Sequence, residues 1–138
     1  AGVLGAVAAL NLGFYFFDYA PTRVYGNPTA EISDVLCDVL ETRADVPPVY
    51  FDGAPYMYWD FGATAFRLRH LEGRDIAPGQ ETEPISVEEG ALFVVLELKM
   101  DDFGWLLTHY PGGVTEHYTS DEDGRLLFVL YEVPSWRE

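Results

Sequence analysis

Cysteine and lysine occur once each in these 138 residues, as Cys37 and Lys99, and histidine occurs three times. A lone cysteine excludes an intrachain disulfide and any metal knuckle built from several thiolates. Cys37 falls beside the apolar stripe of a helical pattern with no nearby histidine to activate it, which predicts a packed, inert thiol. His70, His109 and His117 are far apart, and none stands in an HExxH spacing, so no zinc site and no metal ligand is read from them. The nucleophile elbow GxSxG, the phosphate-binding P-loop and the dinucleotide fingerprint GxGxxG are all missing. No catalytic residue and no cofactor site is therefore assigned within the chain. Positive charge is scarce too: 8 Lys and Arg face 23 Asp and Glu, for a net charge of −15. Such a surface repels phosphate backbones, which excludes nucleic acid as a partner.

What the chain has instead is apolar and aromatic surface. Hydrophobic residues make up 49% and aromatic residues 15% of it, enough to offset the entropy of ordering a chain of single-domain length. Residues 1–17 carry no charge and only one strongly polar side chain, Asn11. A signal peptide is disfavoured, since no Lys or Arg precedes Arg23, and two readings remain for this opening. It is a buried core helix, or it is the outer end of a transmembrane helix. Small residues (Gly2, Gly5, Ala6, Ala8, Ala9) and the aromatic cluster FYFFDY at the end of the run favour the membrane reading. On that reading residues 1–13 are the remnant of a last transmembrane helix and 14–138 form a soluble domain.

Helical periodicity is clearest within APTRVYGNPTAEISDVLCDVLETRADVPP, where Ile32, Val35, Leu36, Val39 and Leu40 share one face. Asn27 is placed to cap this helix, Pro28 suits its first turn, and Pro47 and Pro48 set its limit. Val49, Tyr50 and Phe51 read as a short buried strand that stops at Asp52 and Gly53. The stretch YMYWDFGATAFRLR reads as a helix interrupted by Gly62 or as a loop plus a strand, the helix being preferred. A short strand near Asp75 and Ile76 and a surface loop follow. ALFVVLEL, continuously apolar and rich in valine, is the central strand. Asp101 or Asp102 is expected to cap a second helix that presents Phe103, Leu106, Leu107 and Tyr110 on one face and ends at YPGG. The C-terminal part reads as two strands joined by a turn at Asp123 and Gly124. Helices alternating with buried strands indicate an α/β fold: a single small domain with a mixed sheet flanked by helices and a C-terminal β-hairpin.

Ligands of open α/β sheets sit beyond the carboxyl ends of the strands, and DGAPYMYWD follows such an end. Tyr56, Tyr58 and Trp59 are of the type that stacks on a sugar ring, and Asp52 and Asp60 can accept hydrogen bonds from its hydroxyls. The competing reading is that these aromatic rings pack against the domain itself or against a membrane interface.

The stretches NLGFYFFDY, VYGNPTAEISDVL, VYFDGAPYMYWDF, HYPGG and DGRLLFVLYEVP together resemble the C-terminal soluble domain of bacterial polytopic glycosyltransferases. These belong to the protein mannosyltransferase and aminoarabinose transferase superfamily, of GT-C type. The resemblance runs over nearly the whole chain, except for residues 73–90 and 97–99. It implies a small α/β domain on the extracytoplasmic face of the plasma membrane, capping a membrane-embedded catalytic part that takes a sugar from a polyprenyl-phosphate carrier. The acidic catalytic residues of such enzymes lie in an outward loop that no part of this sequence matches. The implied partners are that membrane-embedded part of the parent chain and a glycan or lipid-linked sugar. The alternative from a different class is a freestanding carbohydrate-binding or protein-interaction module.

Overall fold

The computed structural model describes residues 2–19 and 27–135. The opening run forms helix α1, Gly2–Phe14, which continues through a π-helical turn, Tyr15–Tyr19. No residue of α1 is buried, and Val3, Leu4 and Leu10 are each about three-quarters exposed or more. The core-helix reading is thereby corrected: this helix contributes nothing to the interior. No helix among the described residues is long and apolar enough to cross a membrane.

The predicted first helix of the folded part is α2, Pro28–Glu41. Asn27 has extended backbone and its side chain accepts from the Ala30 amide at 2.8 Å, satisfying one of the donors a helix start leaves free. Ile32, Leu36, Cys37 and Leu40 form its buried face. The strands are β1 (Val49–Asp52), β2 (Gly73–Asp75), β3 (Ala91–Leu96), β4 (Val114–Thr119) and β5 (Leu126–Val133), in the order β2-β1-β3-β5-β4. β1 runs parallel to both β2 and β3, while β5 is antiparallel to β3 and to β4, so the sheet is mixed and closes with the expected hairpin.

β3 is buried at all six positions. Leu92, Val94 and Leu96 point to a layer formed with α2, and Ala91, Phe93 and Val95 point to a second layer with α4, Met100–His109. This is the period-2 alternation of a strand covered on both faces. The two parallel connections cover opposite faces. Between β1 and β2 the chain forms α3, Gly62–Arg67, and Leu68 joins the α2 layer. Between β2 and β3 the segment 76–90 lays Ile76, Ile85 and Val87 on the α4 layer. The chain thus leaves β1 toward one side for β2 and returns on the other for β3, which makes the carboxyl ends of β1 and β3 the switch point of the sheet.

Three expectations are corrected. Residues 56–61 do not join α3 as one helix broken at Gly62; Gly62 is where the helix begins. Met57 and Trp59, two residues apart, both enter the core, and the Trp59 amide donates to Asp75 Oδ1 at 2.6 Å rather than to a helical carbonyl. Neither Asp101 nor Asp102 caps α4, which follows directly from a 3-10 turn, Glu97–Lys99, without a side-chain cap. On α4, Leu107 is 44% exposed, so the covered face is Phe103, Trp105, Leu106 and Tyr110.

Trp59 lies against the backbone of Gly73, where an added Cβ would stand 2.0 Å from the indole ring. Gly104 on α4 has nothing within 4 Å of the same position. Gly73→Ala is expected to cost about 1–3 kcal/mol by overpacking, whereas Gly104→Ala is expected to stabilise by about 0.5–1 kcal/mol. Thermal unfolding of the two variants should move in opposite directions.

Candidate functional site

Asp52 is the last residue of β1, and the alternation that sends Phe51 into the α2 layer leaves its neighbour at the sheet's carboxyl edge. Gly53 then turns the chain, with the amides of Tyr56 and Met57 both bonded to the Gly53 carbonyl. A side chain at Gly53 would meet Phe51, the Met57 carbonyl and Leu96 within 3.0 Å. This tight exit keeps Asp52 inside, at 1% exposure. Its Oδ1 has no hydrogen-bond partner.

The nearest positive charge is Lys99, whose Nζ stands 3.8 Å from Asp52 Oδ1, within ion-pair range and beyond hydrogen-bond reach. Lys99 is engaged elsewhere: its Nζ lies 2.7 Å from Glu81 Oε1 and 3.3 Å from Asp102 Oδ2. Three carboxylates from β1, the segment 76–90 and α4 therefore share the chain's single lysine. Burial pushes the Asp52 carboxyl up from 3.8 to about 7; Lys99 opposes the shift, and Asp102 and Glu81 add to it. The Lys99 ammonium is held above its ordinary range, chiefly by its hydrogen bond to Glu81, and Glu81 is held below its own by the same bond.

Beside this cluster, at the carboxyl end of β3, an apolar groove of about 310 Å³ opens. Pro28, Ile32, Tyr56, Leu96, Leu98 and Leu127 line it, with Arg125 at its margin. Arg125 is paired with the buried Glu31 of α2 and with Asp123, so its charge is already compensated.

The residues read from the sequence are thus divided. Tyr56 is 58% exposed on the groove, and Tyr58 is 48% exposed but does not line it. Trp59 is turned into the core, tilted against Phe51 at 6.4 Å between ring centroids. Asp60 is exposed, away from the buried Asp52. A platform of three rings flanked by two carboxylates does not assemble. Sequence reasoning missed Glu81, Lys99 and Asp102 as neighbours of Asp52; the one available signal was a single lysine just beyond the central strand. Cys37 is fully buried and its thiol is pushed up to about 11 by burial, as suits an unreactive group. Among the described residues no three His, Cys, Asp or Glu side chains are grouped to hold a metal ion. Comparison with family models, with curated proteins and with solved structures returns no match.

Because folding raises the Asp52 carboxyl, the fold favours its neutral form. The corresponding stability is complete below about pH 4 and is lost as pH rises through about 7, by up to ~1.4 kcal/mol per pH unit in between. Asp52→Asn is accordingly expected to unfold near the wild-type temperature at pH 4 and well above it at pH 8. A lower melting temperature for the variant at pH 8 would mean that the Asp52–Lys99 pair stabilises the fold on balance.

Proposed function

We propose that the chain is the non-catalytic, extracytoplasmic domain of a membrane glycosyltransferase that takes its sugar from a polyprenyl-phosphate donor, the reacting residues lying elsewhere in the parent protein. The observation that carries the membrane part is α1. Its side chains from Gly2 to Phe14 include no charge, none is buried, and the exposed rings of Tyr15, Phe16 and Phe17 follow at its end. An apolar helix left outside the fold requires another apolar environment, and rings at its limit suit the boundary with water. The transferase part rests on the sequence resemblance.

In this reading the folded domain supplies shape rather than chemistry. Seven residues separate Tyr19 from Asn27, so the start of α2, and with it the groove at Pro28 and Ile32, lies within about 29 Å of the end of the apolar helix even at full extension. The groove and Tyr56 are the surface that faces the membrane-embedded part or its glycan. The strongly acidic remainder keeps the domain away from anionic headgroups.

Flotation with neutral phosphatidylcholine vesicles tests the membrane part. The chain is expected to float, and a Leu4→Glu, Leu10→Glu variant to stay behind with an unchanged melting temperature, since neither side chain belongs to the core. Equal flotation of both would argue against it. For the transferase part, deleting residues 27–135 from the parent enzyme is expected to lower sugar transfer several-fold. Unaltered transfer would remove that role, and glycan binding by the isolated chain that depends on Tyr56 would favour a freestanding module instead.

A further inference from the structure

The segment 76–90 crosses the α4 face of the sheet as a strap; its start is tied by the Ile76 amide, which donates to the Phe51 carbonyl at 2.9 Å, and side chains hold it at two places further along. At one, the Ile85 amide donates to the Tyr110 hydroxyl at 2.5 Å and that hydroxyl donates to the Ile85 carbonyl at 3.1 Å. At the other, Glu81 accepts from Lys99. Beneath the strap, Tyr50, Phe93 and Tyr110 form a stack, with centroid separations of 5.5 and 5.2 Å, and Ile76, Ile85 and Val87 pack in the same layer.

We propose that Lys99 is a protonation-controlled latch for this strap: it holds Glu81 while Asp52 is neutral, and loss of the Asp52 proton to solvent releases Glu81 and lets the strap open. The geometry gives the order of events. The charged groups facing Asp52 come from three elements: Lys99 from the 3-10 turn after β3, Asp102 from α4 and Glu81 from the strap. A newly ionised Asp52 places a third negative charge around one ammonium, with an oxygen that has no hydrogen bond. Repulsion acts on Asp102 and Glu81 alike, but Asp102 is fixed in a helix whereas Glu81 stands in a connection without regular structure. Glu81 is therefore the carboxylate that yields. Opening also admits water to Asp52, hydrating the charge that the closed form leaves unsolvated. The closed form holds the Asp52 proton up to about pH 7, whereas a hydrated, open form releases it in the ordinary aspartate range, about pH 4. Opening therefore grows with pH between those values, by up to about tenfold per unit for a single proton, and levels off above about 7. An open strap uncovers the aromatic stack and frees the Tyr110 hydroxyl. This device is independent of the membrane reading.

Hydrogen–deuterium exchange of the full chain between about pH 4 and 9 tests it, with rates divided by their intrinsic values and the Asp52→Asn chain measured alongside. Protection of 77–90 is expected to fall by up to about tenfold per pH unit between about pH 4 and 7 in the wild type and to level off above about 7. It should stay high and flat in Asp52→Asn, and low and flat in Glu81→Gln, where the latch has lost its charge. A wild-type strap whose protection does not change with pH, or an Asp52→Asn strap that opens like the wild type, would overturn the proposal.

Discussion

A carboxylic acid enclosed at the end of a parallel strand is the constraint around which the rest of this domain is organised. Asp52 ends β1 at the switch point of the sheet, where Gly53 turns too tightly to let it out and the long connection returning from β2 lies nearby. A buried carboxyl with an oxygen that no hydrogen bond satisfies either becomes neutral or acquires a counter-charge. The chain supplies its only lysine, and then divides that lysine among three acids. The result joins β1, the 3-10 turn after β3, the strap and α4 at one ammonium group.

The opposite ends of the fold are held in a more ordinary way. Arg67 of α3 reaches Asp34, Asp38 and Glu41 along one side of α2, and Arg43 joins the end of α2 to Glu116 and Glu132 of the hairpin. These pairs are partly exposed, and each contributes modestly in water; they orient helices against a sheet whose stability comes from β3, buried on both faces. Among the described residues Arg43, Arg67, Arg74, Lys99 and Arg125 are each committed to particular acids, which leaves the excess negative charge on the outside.

Much of this was legible in the sequence where local pattern and final environment agree. The stripe of α2, the Asn27 cap, the unbroken apolar run of β3 and the Asp123–Gly124 hairpin each declare themselves within a short window, and the α/β architecture follows from their order. Residues 54–61 did not, because Trp59 is fixed by the bare backbone of Gly73 and by a hydrogen bond to Asp75, contacts invisible to periodicity. The same holds for the site. The position of Asp52 and Tyr56 beyond a strand end was readable, but the burial of Trp59 was not. Nor was the convergence of Glu81, Lys99 and Asp102, which come from separate stretches and meet only through the topology.

The central claim is that Asp52 keeps its proton inside this fold up to about pH 7. The most direct measurement is the titration of its side-chain carboxyl carbon by NMR, in protein labelled at aspartate. A midpoint near 7 is predicted from its burial and its partly committed lysine; a midpoint near the ordinary aspartate value, about 4, would show that Lys99 or water satisfies the charge and would contradict both the enclosed acid and the latch built on it.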